Sequence, residues 1–110
     1  MLRKHTTYES YTTSTATYPK IRTVYHPHTQ ASKLPADIPL LVFVHGLGGS
    51  IAQFAPLLTS LINAAPCLAI DLPGCGLSDF KPDDVDAYTT KALAELVAAA
   101  IERQIGRAHV

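Results

Sequence analysis

The apolar, β-branched run Leu40-Leu41-Val42-Phe43-Val44 ends on His45-Gly46 and opens directly into the turn Leu47-Gly48-Gly49-Ser50. No other stretch of the chain restricts the fold as tightly. A short apolar run without alternation predicts a parallel strand covered on both faces. A strand that empties into glycines points backbone N–H groups at whatever sits above the sheet. That arrangement stabilises an anion, either a phosphate or an oxyanion, and the choice between them decides the function.

The residues on either side extend the pattern. Downstream, Phe54, Leu57, Leu58, Leu61 and Ile62 recur at helical spacing and form one apolar stripe. Pro56 fits only the first turn of such a helix, so the helix is expected to begin near Ala55 and to end at Ala64-Ala65-Pro66. Residues 67–71 predict a second buried strand, and residues 72–86 predict a loop rich in Gly, Pro and Asp. Residues 90–105 predict a last helix, with Leu93, Leu96, Val97, Ala100 and Ile101 on one face and Thr89 or Thr90 as its N-cap. Upstream, residues 6–13 and 20–25 read as strands joined through residues 15–19. In the second, Ile21, Thr23 and Tyr25 share one face, and Arg22 and Val24 share the other. Residues 26–39, punctuated by Pro27, Pro35 and Pro39, read as a linker. The expected fold class is α/β, with antiparallel strands followed by a parallel β-α-β-α order.

Composition removes several function classes. A chain of 110 residues is long enough for one small domain, and 47% hydrophobic content places it with globular proteins. Nine basic and nine acidic residues balance, and no basic stripe exists, so no nucleic-acid partner is expected. No apolar run is long enough to cross a bilayer, so no transmembrane segment is expected. The two cysteines, Cys67 and Cys75, fall in a strand and a turn and read as free thiols of a reducing compartment. A cytoplasmic location is expected. A faintly transit-like, Thr-rich start makes mitochondria the alternative. His26 and His28 read as solvent-facing linker residues. Asp83, Asp84 and Asp86 read as ordinary acids before a helix N-terminus. No metal site and no cofactor are expected.

Two chemistries compete for the glycine turn. Gly46-Leu47-Gly48 followed by Asp71 at the next strand end supplies parts of a dinucleotide-binding fingerprint, which would make the chain part of a Rossmann-like oxidoreductase. Its third glycine position is filled by Ile51, however, and no Lys-Ser or Lys-Thr follows for a phosphate loop. The oxyanion reading fits better. His45-Gly46-Leu47-Gly48-Gly49-Ser50, followed after one helix by Asp71-Leu72-Pro73-Gly74-Cys75-Gly76-Leu77-Ser78, resembles the N-terminal part of an α/β-hydrolase. The resemblance covers about residues 21–105. It implies that the Leu47 backbone N–H is an oxyanion-hole donor within the loop His45, Gly46, Gly48 and Gly49. Gly48 and Gly49 would let that loop approach a substrate without a Cβ clash. Asp71, Gly74, Gly76 and Ser78 would form a structural turn. Cys75 departs from the family, which more often has an aromatic residue, His or Arg there.

The residues themselves favour bland roles for several of these groups. His45 is expected to bond nearby backbone rather than act as a base. Asp71 is expected to accept backbone N–H groups of the following turn. Ser50 lies too far from the strand end to be the serine of a nucleophile elbow, and Cys75 is flanked by glycines at the wrong spacing.

In the family the order is serine, then acid, then histidine, all after the second helix, and no Gly-x-Ser-x-Gly occurs in this sequence. The sheet is therefore expected to be cut before the nucleophile elbow, and no catalytic triad residue is assigned. The codons ATC GGA AGA GCA CAC GTC would encode residues 105–110. They spell part of a common short-read sequencing adapter, whose preceding AG completes CAG for Gln104 and whose next codon is TGA. Residues 1–104 are thus expected to be part of a single domain and residues 105–110 a non-native tail. The alternative is a natural helix end, with Gly106 just past the last turn and Arg107 and His109 near the dipole.

The implied parent is a soluble serine hydrolase acting on a small-molecule carboxylic ester, thioester or amide, with this chain inactive alone. His-Gly-Leu-Gly lacks the Pro common after His-Gly-x in epoxide hydrolases and dehalogenases, and it differs from the His-Gly-Gly-Pro of proline iminopeptidases. That favours esterase- or lipase-like chemistry. A binding protein of the same fold without a triad is the non-enzymatic alternative.

Overall fold

The computed structural model describes residues 4–27, 39–46, 48–79 and 84–108. The Thr- and Tyr-rich start forms two antiparallel strands, β1 (His5–Thr12) and β2 (Thr17–His26). Most of their side chains are β-branched or aromatic, which suits a pleated surface, and the paired Thr7 and Thr23 hydroxyls meet at 2.6 Å. β2 starts earlier than its alternation predicts and takes in Pro19. The register slips between Glu9 and Tyr11, so Pro19 and Lys20 together face Ser10. Pro is tolerated at such a bulge because its missing N–H removes no ladder bond.

The glycine-flanked run forms β3 (Leu41–Val44), and the next apolar segment forms β4 (Cys67–Ile70). β4 is buried throughout, pairs parallel with β3 and antiparallel with β2, and gives the sheet order β1-β2-β4-β3. Between β3 and β4 lie a short 3-10 turn, Ile51–Phe54, and helix α1 (Ala55–Leu61), which has Pro56 in its first turn. A second 3-10 turn, Val85–Tyr88, precedes helix α2 (Thr90–Ala108). Thr89 caps α2 by accepting the Ala92 N–H at 3.1 Å.

The helices cover opposite faces of the sheet. α1 packs Leu58, with Ile51, over Val24, Phe43 and Ala69. α2 packs Leu96 and Ala100 over Tyr11, Tyr18, Ile21 and Ile70. Ala92, Leu96, Ala100 and Gln104 recur every fourth residue and are all buried. Gln104 donates to the Tyr11 hydroxyl at 3.2 Å, and the Arg103 guanidinium stacks 3.8 Å from the Tyr11 ring. The Tyr18 hydroxyl donates to Ala87 O at 2.7 Å, and burial pushes its phenol up. Ile21 and Val24 face opposite layers, as their alternation predicts.

Four sequence expectations change. β3 was expected to be covered on both faces, yet Val42 and Val44 are 36% and 44% exposed. β3 is an edge strand of the described sheet, and the α2 cluster takes in residues of β1, β2 and β4 but none of β3. His26 was expected in a solvent-facing linker but ends β2 half-buried opposite Cys67, where burial and then Lys4 lower its imidazole. The loop expected at 72–86 gives way to a 3-10 turn at Val85. α2 runs through Gly106 to Ala108, so Gly106 is not the helix stop. His28, Pro35, Asp83 and His109 lie outside the described residues.

Both cysteines are free thiols. Cys67 is fully buried and donates to Ala65 O, and burial pushes its thiol up. Cys75 is partly exposed. Iodoacetamide is therefore expected to modify Cys75 in the native protein and Cys67 only after denaturation. Peptide mass mapping reads the order, and native labelling of Cys67 would show that the β2–β4 core opens readily.

Candidate functional site

β3 and β4 run parallel, so their C-terminal ends open on the same edge of the sheet. His45 follows β3 and Asp71 follows β4, and both are buried, at 4% and 0% exposure. The residues next to these two side chains define the site.

His45 joins the two strand ends. Its Nε2 accepts the Leu72 N–H at 2.9 Å, and its Nδ1 lies 2.6 Å from Gly46 O. An Nε2 that accepts leaves the proton on Nδ1, which donates to Gly46 O. Gly46 O also receives the Gly49 N–H at 3.0 Å, closing the turn. Both ring nitrogens are thus engaged by backbone, and neither is placed to take a proton from a substrate. Leu47 lies outside the described residues. Gly48 has φ +78°, the left-handed region that favours glycine. At Gly49 a Cβ would fall 2.1 Å from Gln53 Oε1 and 3.0 Å from His45 Cβ. Gln53 reaches back there to accept the Ser50 N–H at 3.3 Å. A neighbouring side chain, rather than substrate, is what the structure places against Gly49.

Asp71 organises the other half. Oδ1 accepts the Ile51 N–H at 2.7 Å, Oδ2 accepts the Leu77 N–H at 3.0 Å, and Arg22 Nη1 approaches Oδ2 at 3.4 Å. One carboxylate therefore holds the 3-10 turn after β3, the turn after β4 and the side chain of β2. Gly76, at φ +53°, lies against it, and a Cβ there would meet Asp71 Oδ2 at 2.4 Å. Ser78 Oγ donates to Asp71 O at 2.6 Å and accepts the Arg22 N–H at 2.9 Å. Gly74, also at positive φ, donates its N–H to Asp79 O at 2.9 Å, which closes the turn. Among the described residues no basic side chain hydrogen-bonds Ser50 or Ser78: Ser78 Oγ is engaged in both directions by backbone, and Ser50 starts the 3-10 turn.

This geometry tells against a dinucleotide. The Ile51 N–H, which a phosphate would need, is already taken by Asp71. A phosphate there would also face a buried carboxylate. The Ile51 side chain is packed in the core at the position where the fingerprint requires glycine.

Sequence reasoning missed Arg22 and Gln53. Arg22 left a signal: a charged residue between the fully buried Ile21 and Thr23 needs an acid nearby. Gln53 left only the spacing of a capping box behind Ser50. Among the described residues no helix is long and apolar enough to cross a membrane.

Comparison with known proteins agrees with this architecture. A family model described as alpha/beta hydrolase fold matches residues 39–110. An abhydrolase domain-containing protein of Schizosaccharomyces pombe is 35% identical over 69 residues, covering 58% of this chain and 19% of that protein. The crystal structure of the Cif epoxide hydrolase from Acinetobacter nosocomialis matches with a TM-score of 0.62 at 21% identity, over 89% of this chain and 26% of the other. At that identity the likeness is one of fold. The chain spans about a fifth of the first protein and about a quarter of the second.

Proposed function

Since the chain belongs to the alpha/beta hydrolase fold family, we propose that it is the oxyanion-loop portion of a serine hydrolase acting on a carboxylic ester, thioester or amide. The observation that carries the reading is the anchoring of His45, Gly46 and Gly49 at the open sheet edge by the His45 ring and by the Gly49–Gly46 bond. Bonds that fix the residues on either side of Leu47 support this reading, because oxyanion stabilisation requires a backbone donor oriented before substrate arrives. We assign that donor to the Leu47 N–H. The nucleophile, acid and base are assigned to residues other than those of this chain, where no Gly-x-Ser-x-Gly occurs. A serine in that motif would attack the carbonyl, and a histidine would move the proton. The absence of Pro after His45-Gly46-Leu47 supports acyl chemistry over epoxide opening.

The 110-residue chain is expected to resist labelling by a fluorophosphonate probe, because labelling needs a base-activated serine. Stoichiometric labelling at Ser50 or Ser78 would overturn their structural roles. In a longer protein carrying this chain, labelling is expected at an elbow serine. There Leu47→Pro, which deletes the N–H, should lower kcat about 100-fold or more, while Leu47→Ala, which keeps it, should retain most turnover. Equal losses in the two variants would sink the oxyanion assignment. An unlabelled long protein that still binds acyl ligands would favour the triad-less binding protein.

A further inference from the structure

The turn between His45 and Ile51 is pinned at both ends by buried groups. The His45 imidazole fixes Gly46 O, and the Asp71 carboxylate accepts the Ile51 N–H. Gly46, Gly48 and Gly49 carry no side chains with which the turn could brace itself in between. A third side chain enters there: Gln53 Oε1 accepts the Ser50 N–H at 3.3 Å.

Gly49 shows that Gln53 is built into the turn. Positive φ favours glycine at Gly48, but Gly49 lies outside the left-handed region, so its backbone would accept alanine. Space is what excludes a side chain at Gly49. A Cβ would fall 3.1 Å from Gln53 Cδ, closer still to Gln53 Oε1, and 3.0 Å from His45 Cβ. The Gly49 N–H in turn donates to Gly46 O at 3.0 Å. A group that holds Gly49 and Ser50 therefore bears on the segment that leads back to Leu47.

We propose that Gln53 is a positioning residue for the oxyanion donor. By holding Ser50 and packing on Gly49, it fixes the downstream arm of the turn that carries the Leu47 N–H. The inference rests on the acyl-hydrolase reading and adds to it the side chain that orients the donor before substrate binds. A donor aimed at the oxyanion acts in the transition state and not on the bound ground state, so the effect of Gln53 falls on kcat rather than KM. Gln53 is itself exposed, so its removal leaves the core intact.

The test is steady-state kinetics on an activated acyl ester, with the longer protein that carries this chain. Gln53→Ala should lower kcat about fivefold, the loss expected for one ordinary hydrogen bond. KM should stay within about twofold, and the urea midpoint of unfolding should not move. Gly49→Ala should also lower kcat, because its methyl displaces the Gln53 amide. In the double variant that methyl has room, so kcat should be no lower than in the slower single variant, whereas independent effects would multiply. In the 110-residue chain, Gln53→Ala should speed exchange of the Ser50 amide but not of the Ile51 amide, which Asp71 holds. Leu47→Pro and Leu47→Ala separate the two readings. If only Leu47→Pro loses turnover while Gln53→Ala keeps kcat within about twofold of the parent, the donor stands and the positioning role is overturned. Losses that multiply in the double variant, a rise in KM that carries the whole loss, or unchanged Ser50 exchange would each overturn it as well. Equal losses in Leu47→Pro and Leu47→Ala would overturn the oxyanion reading, and this inference with it.

Discussion

Asp71→Ala is expected to lower stability by about 3–5 kcal/mol, the range for removing one member of a buried, hydrogen-bonded charge pair. Three groups lose their acceptor at once: the Ile51 N–H, the Leu77 N–H and Arg22 Nη1. Each buried amide left unpaired costs about 1–3 kcal/mol, while Arg22 regains some water because its side chain is 21% exposed. A small domain has only about 5–15 kcal/mol in all, so this single change approaches the limit of folding. Urea denaturation followed by circular dichroism measures it. Asp71→Asn should cost less, because the remaining amide oxygen still accepts one N–H, but its NH₂ then faces the other. A loss below about 1 kcal/mol for Asp71→Ala would mean that the two turns hold their shape without the carboxylate.

The same carboxylate explains what was legible in the sequence and what was not. The segment from Asp71 to Ser78 could be read as a turn because its glycines meet a backbone need: Gly74 and Gly76 sit at positive φ, where other residues are strained. The strand before Gly46 was legible because an apolar run bounded by a proline and a glycine turn has few alternatives. The partners were not legible, because they lie far apart in the chain. Arg22 is 49 residues from Asp71, and no local period encodes a contact between a β2 side chain and the end of β4. Coverage of β3 was misjudged for a related reason. Apolar runs report the hydrophobicity of both faces but not whether a helix reaches them, and the α2 cluster takes in no residue of β3. Pro19, placed by the sequence in the connection between the two strands, instead lies within β2, where the extra residue at the bulge absorbs it.

His45→Phe is expected to cost about 2–3 kcal/mol, although it keeps an aromatic ring of similar bulk at a position only 4% exposed. The loss comes from polar groups left behind. The Leu72 N–H loses its acceptor, and Gly46 O keeps only the Gly49 N–H. An apolar ring cannot replace either bond, so the strand ends of β3 and β4 are no longer tied to each other. A merely packing role for His45 would predict near-neutral behaviour for Phe and a larger loss for Ala. A bonding role predicts that both lose a comparable amount. Amide hydrogen exchange separates the two further. With His45 in place, the Gly49 N–H is held on a carbonyl that the imidazole also fixes. In His45→Phe its exchange should rise by about tenfold or more under conditions where the core amides of β4 stay protected, because local opening of the turn precedes global unfolding. Unchanged exchange at Gly49 would show that the turn is set by its glycines and Gln53 alone, and the pre-organisation argued for the Leu47 donor would then have to come from them.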